Sequence, residues 1–302
     1  VCSISYATAR IISPNTERNG RTMNTPNTNR RTIVTAAAAA AVTGACAGPG
    51  GGLTGAEDGG KPEPRAGAAT AAFPVGLTGY MFKHYTLDEI VAMATRLAVT
   101  HVAVKPFHLP DPGAAGPFTA ALKKIETAGL ALYCAGVIYM KNAEDVEKAF
   151  VFARAAKIEL FSASLHPRLL PAAAAAARKH DIRMAIHNHG PEDKHYPTPR
   201  AIHEKIADLD RRIGICHDTG HTIRAGRDPV AETLKTADRI MDCHLKDVNA
   251  STAKGHSVEL GRGVMDIPAF AGALPRIGYR GVLGVEYEKH MKDLLPGLAE
   301  SV

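Results

Sequence analysis

RMAIHNHG (183–190), RIGICHDTGH (212–221), RIMDCHLKD (239–247) and GVLGVEYE (281–288) are the four stretches on which the reading of this chain turns. Each is an apolar run about as long as a buried strand, and each carries its polar chemistry at its C-terminal end. Strands that alternate with helices and end in reactive groups describe the working face of an α/β barrel. Side chains alternate across a strand, so parity separates the two faces. In the third stretch Met241, Cys243 and Leu245 share one parity, and Asp242, His244 and Lys246 the other. In the first, Met184 and Ile186 oppose His187 and His189, and in the fourth, Val285 and Tyr287 oppose Gly284 and Glu286. With the apolar parity packed on helices, His187, His244 and Glu286 point into the barrel near one end. Asp218 is in step with Gly214 and Cys216, the small parity that leaves room at the centre.

Working outward, β-then-α units repeat from Phe73 to the end of the chain. The expected strands are 73–80, 100–105, 130–137, 158–164, 182–189, 212–218, 239–246 and 281–287. Thr86 with Asp88 and Glu89 marks one helix start and Asp228-Pro229 another. Gly116-Pro117 is expected to precede a helix over 118–128. A long polar loop, 248–264, precedes a helix near 268–277. Eight units with no tight hairpin predict a closed (β/α)8 TIM barrel over 73–302 rather than a doubly wound sheet.

The preceding segment has a different character. Residues 1–22 show no apolar periodicity, and Met23 is the expected natural start. Residues 23–48 read as a signal peptide, so 1–48 form a signal region. Arg30 and Arg31 directly before an Ala-rich run fit a twin-arginine signal and predict export to the periplasm. Cys46 in Thr43-Gly44-Ala45-Cys46 is a candidate lipid anchor. Residues 49–72, rich in Gly, Pro, Ala and charge, are expected to be a disordered linker. No transmembrane span is expected.

The formal net charge is +6, but residues 1–35 hold five arginines against the single acid Glu17, which leaves the barrel near neutral. No basic run with interleaved aromatics is present, so a nucleic-acid partner is not expected. The chain has five cysteines and no tryptophan. Cys134, Cys216 and Cys243 fall inside strands without CxxC spacing and read as small buried hydrophobes.

A His, an Asp, a second His and a Glu at one barrel mouth make a donor set for a borderline divalent cation. Two imidazoles favour Mn, Zn or Co over Mg. The plain alternative is a hydrogen-bonded charge network without metal.

At these residues the chain resembles the xylose-isomerase-like barrels known as sugar phosphate isomerases/epimerases. The resemblance rests on HDTGH (217–221), HLKD (244–247) and VEYE (285–288), in order on the last three strands, and spans roughly 75–302. It implies one metal ion held by Asp218, His244, Glu286 and a strand-5 residue, and a small carbohydrate as substrate. In that family the strand-5 residue is a Glu that also trades the substrate proton; this chain has His187. His187 is expected to take over the ligand role, and the loss of the second Glu tells against a standard epimerase.

The expected chemistry is proton transfer next to a carbonyl through an enediolate, with Glu286 or His187 as base and Lys246 against the developing oxyanion. His221, His189, Lys105 and Tyr80 are candidate substrate contacts. For Lys246 the alternative is a salt bridge with Asp218 or Glu286. His166 is a weaker candidate, His217 reads as structural, and His84, His108, His195 and His256 as surface groups. The runner-up reactions are those of a lyase or dehydratase on 3-keto sugars. A non-catalytic carbohydrate-binding lipoprotein is the competing class.

Overall fold

A computed structural model describes residues 73–302. The signal region, Cys46 and the linker lie outside the described residues. The barrel strands are β1 (Val75–Leu77), β2 (His101–Val104), β3 (Ala131–Met140), β4 (Leu160–Leu165), β5 (Arg183–His187), β6 (Ile213–Asp218), β7 (Ile240–Leu245) and β8 (Leu283–Val285). All neighbours pair in parallel, and β1 pairs with β8 to close the circle. This is the expected TIM barrel.

The helices are α1 (Leu87–Arg96), α2 (Ala115–Thr127), α3 (Ala143–Ala155), α4 (Leu170–His180), α5 (Pro199–Ile206), α6 (Thr219–Arg224), α7 (Pro229–Lys235), α8 (Ile267–Ala273) and α9 (Leu295–Ser301). Their starts follow local chemistry. Thr86 and Glu89 form a reciprocal capping box on α1, and Asp228 accepts the Val230 N–H ahead of α7. The apolar strand parity packs against them: Met184, Ile186, Ile213 and Ile215 join Phe150, Phe161 and Ala177 in one core. Aliphatic and alanine side chains dominate it, as a chain without tryptophan requires. Among the described residues, no helix is long and apolar enough to cross a membrane.

Several boundaries differ from the sequence expectation. Gly116-Pro117 lies inside the first turn of α2, where a proline needs no N–H partner. β3 runs on to Met140, with a register shift between Ala135 and Ile138. β1 and β8 keep only three paired residues each. The 248–264 loop contains half of a small antiparallel ribbon, Asp247–Val248 against Ser257–Val258. Asp247 fixes this loop: its Oδ1 accepts the Val248 and Met265 N–H groups, and its Oδ2 those of Gly261 and Gly263.

Register aligns the site. His187 lies beside Cys216, Asp218 beside His244, and His244 beside Gly284. Glycine at 284 leaves room in the barrel centre, because a Cβ there would come within 2.5 Å of the Tyr133 hydroxyl and force it to shift.

At the opposite end, buried Arg239 ties α5 to the starts of β6 and β7. Its Nη1 donates to the carbonyls of Asp210 (3.1 Å) and Ile213 (2.9 Å), and its Nη2 to those of Ala207 (2.8 Å) and Leu209 (3.0 Å). Arg239→Met removes four donors from buried and part-buried acceptors and is expected to destabilise the barrel by about 3 kcal/mol. Urea unfolding measures this, and metal content per folded chain should stay unchanged.

Candidate metal centre

One ligand-type atom from each of His187, Asp218, His244 and Glu286 lies within 4.8 Å of the other three, and all four residues are buried. The strand ends of β5, β6 and β7 and the residue after β8 supply them, as parity predicts. The His187 Nε2–Asp218 Oδ2 distance is 3.4 Å, and His244 Nδ1 lies 2.5 Å from Glu286 Oε2.

Neighbouring residues aim these groups. Asp218 caps α6: its Oδ1 accepts the His221 N–H at 2.8 Å, which leaves Oδ2 for the cluster. Asn188 clamps the Asp218 backbone, accepting its N–H at 2.9 Å and donating to its carbonyl at 3.1 Å. Thr219 Oγ1 accepts the Lys246 N–H and donates to the Lys246 carbonyl, which locks β6 to the end of β7. His244 Nε2 faces Asp242 Oδ2 at 3.4 Å. A carboxylate behind the second ring nitrogen fixes an imidazole's orientation for metal binding.

The donor set fits a divalent cation. His187 Nε2, Asp218 Oδ2, His244 Nδ1 and Glu286 Oε2 are all buried and lack a directed hydrogen bond. Asp218 Oδ2 has the Lys246 ammonium at 2.9 Å and Glu286 Oε2 has His244 Nδ1 at 2.5 Å, contacts that a cation held by the four atoms would replace.

Lys246 stands beside the cluster. Its ammonium lies 2.9 Å from Asp218 Oδ2, 3.0 Å from Glu286 Oε1 and 3.1 Å from Glu288 Oε2. The ion-pair alternative for Lys246 is thus the geometry found, with His221 Nε2 as a further neighbour at 3.2 Å. Burial works against the charged forms throughout. For Asp218 and Glu286 the Lys246 ammonium and neighbouring imidazoles outweigh it and hold both carboxyls well below their usual range. For Lys246 the surrounding carboxylates outweigh it and keep the amine protonated. Burial pushes His187 down to about 4, so its imidazole is neutral and available as a ligand. Burial also disfavours charge on His244, but Glu286 and Asp242 overcome it and raise the group to about 10.

The remaining candidates form the rim. The His189 and His187 rings are 4.7 Å apart. His189 Nδ1 lies 3.3 Å from Asp193 Oδ2, and its Nε2 lies 3.4 Å from the Tyr139 hydroxyl. The Lys105 ammonium lies over the rings of Tyr80 (5.1 Å) and Tyr139 (4.9 Å). Burial lowers the Lys105 pKa, and Glu286 opposes that shift. His166 meets His195 edge to face, with ring centroids 4.7 Å apart. His217 is structural as expected, held between Thr233 and Thr222. His108 departs from the surface expectation: it is buried, with Nε2 on the Phe82 carbonyl and Nδ1 accepting the Lys105 N–H.

Sequence reasoning missed Glu288, Asp242, Asp193 and Tyr139. Glu288 and Asp242 share the parity of Glu286 and His244, so a signal was present. Tyr139 lies beyond the expected end of β3, and Asp193 lies in a loop where no periodicity marks it.

The fold and site together define a parallel eight-stranded barrel with a His/Asp/His/Glu cluster at its C-terminal mouth. More particularly, residues 167–301 match the model of a family described as xylose isomerase-like TIM barrel. A curated relative, the rhizopine catabolism protein MocC of Rhizobium meliloti, is 28% identical over 130 residues. That alignment covers 38% of this chain and only 39% of the relative's length. Among solved structures, a sugar phosphate isomerase/epimerase from Parabacteroides distasonis superposes with a TM-score of 0.60 at 18% identity. The match covers 78% of this chain and 94% of that one. The IolI protein with a bound zinc atom gives 0.62 at 12% identity, covering 75% and 93%. At these identities the structures show a shared fold.

The cluster's charge state predicts how its metal affinity depends on pH. Below about 10 His244 carries a proton that a metal must displace, whereas His187 is already neutral above about 4. Apparent Mn2+ affinity should therefore rise about tenfold per pH unit between pH 6 and 9, with about one proton released per ion. Competition against a chelator, with calorimetry in two buffers, measures both. A flat profile removes His244 from the ligand set.

Proposed function

We propose that the protein is a metal-dependent sugar isomerase/epimerase that moves a proton on the carbon next to a carbonyl. The observation that carries this reading is the set of four buried ligand-type atoms that converge at the barrel mouth. His187, Asp218, His244 and Glu286 would hold one divalent cation; the two imidazoles favour Mn, Zn or Co over Mg. Such an ion supplies Lewis acidity, which lowers the energy of an enediolate formed from a hydroxy-carbonyl substrate.

The chain's own groups have distinct tasks in this reading. Glu286, whose Oε1 accepts from Lys246 and whose Oε2 faces His244 Nδ1, is the carboxylate assigned to the substrate proton. Lys246 fixes that carboxylate and balances Asp218, so it acts through its partners more than on the substrate. Glu288 has 27% of its side chain exposed, against 2% for Glu286 and 0% for Asp218, so it is the carboxylate of this group most open to solvent. It can return a proton on the β8 side, and His189, held by Asp193, on the β5 side. Tyr80, Lys105, His189 and His221 line the approach. Export guided by Arg30-Arg31, with Cys46 as a lipid anchor, is part of the same proposal.

A second reading, a lyase on 3-keto sugars, is favoured by one feature. His187 replaces the Glu that the motif resemblance places on β5, so the glutamate pair of β5 and β8 that the resemblance implies is reduced to Glu286.

Metal analysis and solvent deuterium exchange into a panel of neutral and oxidised sugars test the proposal. The expected result is about one ion per chain and deuterium on the carbon next to the carbonyl. Glu286→Gln should slow exchange by about 10^2-fold or more, and His187→Ala should lose metal. Product spectra separate isomer, epimer and elimination product. Metal-independent sugar binding with no exchange would identify a binding protein instead.

A further inference from the structure

Lys105 and Lys83 both lie over the Tyr80 ring, Lys83 at 5.5 Å, but Lys83 is exposed to solvent and Lys105 is half-buried. Lys246 meets Asp218, Glu286 and Glu288, Arg224 meets Glu192, and Lys289 meets Glu259. Lys105 is half-buried, yet among the described residues no carboxylate pairs with its ammonium. Two tyrosine faces hold it instead, Tyr80 at 5.1 Å and Tyr139 at 4.9 Å. Aromatic faces stabilise a cation without neutralising it. A cation taken partly out of water and left uncompensated is one that a ligand can complete.

Its surroundings connect it to the cluster. The Tyr139 hydroxyl lies 3.4 Å from His189 Nε2, and the His189 ring lies 4.7 Å from that of His187. The wall from the metal-type site to Lys105 is therefore continuous through Tyr139, His189 and His187. Tyr139 is 50% exposed, and Phe107, two residues after Lys105, is 61% exposed. Exposed aromatic rings beside a polar hollow suit the apolar face of a sugar ring.

We propose that Lys105, caged by Tyr80 and Tyr139, is the recognition site for a carboxylate on the substrate, which makes the substrate an acidic sugar such as a uronate. One half-buried ammonium, with the exposed Lys83 also over the Tyr80 ring, suits a singly charged carboxylate. A phosphate dianion calls for a glycine-rich amide cradle or several cations, and the sequence shows no such cradle. The inference rests on the isomerase/epimerase reading for the position of the reacting carbons, and it adds the class of the sugar.

The test is calorimetric binding of glucuronate, glucose and glucose 6-phosphate to the metal-loaded protein and to Lys105→Met and Lys105→Arg. Methionine keeps the stem that packs between the rings, and thermal melts verify each fold. The expected result is glucuronate binding about tenfold or more tighter than glucose. That preference should be lost in Lys105→Met at unchanged metal content and kept in Lys105→Arg. A preference that survives Lys105→Met, or its absence in the wild type, overturns the assignment. Tighter Lys105-dependent binding of glucose 6-phosphate than of glucuronate overturns the carboxylate. Deuterium exchange on the same samples separates the two proposals. Lys105-dependent binding without exchange removes the isomerase reading and leaves the subsite, whereas exchange confined to neutral sugars does the reverse.

Discussion

Everything at the mouth of this barrel depends on the ammonium of Lys246. Asp218, Glu286 and Glu288 converge on it within 3.1 Å. Without it, three carboxylates in a partly dry hollow would repel one another. Two unit charges 4 Å apart interact by about 4 kcal/mol at the effective dielectric near a protein surface. Repulsion of that size would raise carboxyl pKa values or push side chains out to solvent. With Lys246 in place, Asp218 and Glu286 stay ionised despite burial. The ammonium is itself anchored through its backbone, by Thr219 at the start of α6.

A division of labour within each ligand follows. Asp218 gives Oδ1 to the cap of α6 and keeps Oδ2. Glu286 gives Oε1 to Lys246 and keeps Oε2. His244 turns Nε2 to Asp242 and keeps Nδ1. Each residue spends one atom on the protein, which fixes its orientation, and presents the other to the hollow. The atoms that face the hollow are therefore held in position before any ligand arrives, and positioning of this kind lowers the entropy lost on binding.

This arrangement explains why the site was legible in the sequence while its rim was only partly so. A ligand on a strand obeys period two, so His187, His244 and Glu286 could be placed from apolar neighbours alone, and the parallel register brought Asp218 alongside. The same parity marked Asp242 and Glu288, but parity gives a direction and not a partner, and their contacts with His244 and Lys246 cross between strands. Tyr139 escaped because β3 shifts register after Ala135 and continues beyond its apolar run. Asp193 escaped because loop geometry, set here by its own hydrogen bonds to the His195 and Tyr196 N–H groups, has no period to read. Helix starts with a side-chain cap were placed well. α2, whose N-cap Ala114 has no capping side chain, was placed late.

His187 is where the departure from the family motif meets the physics of the cluster. A Glu at this position would add a third carboxylate to the ligand set, in a hollow where Lys246 is already shared among three. A neutral imidazole adds a donor without adding charge, and burial keeps it neutral, down to about 4. In the proposed site the two carboxylates, Asp218 and Glu286, would then balance a dication without excess. A cation bound by fewer negative ligands retains more of its pull on a substrate oxygen. The same exchange removes a carboxylate base from the β5 side, where the nearest group held for proton transfer is His189 against Asp193. In the proposed site this one residue would therefore strengthen electrophilic activation and move the second proton carrier two residues along the chain, toward the rim formed by Tyr139 and Lys105.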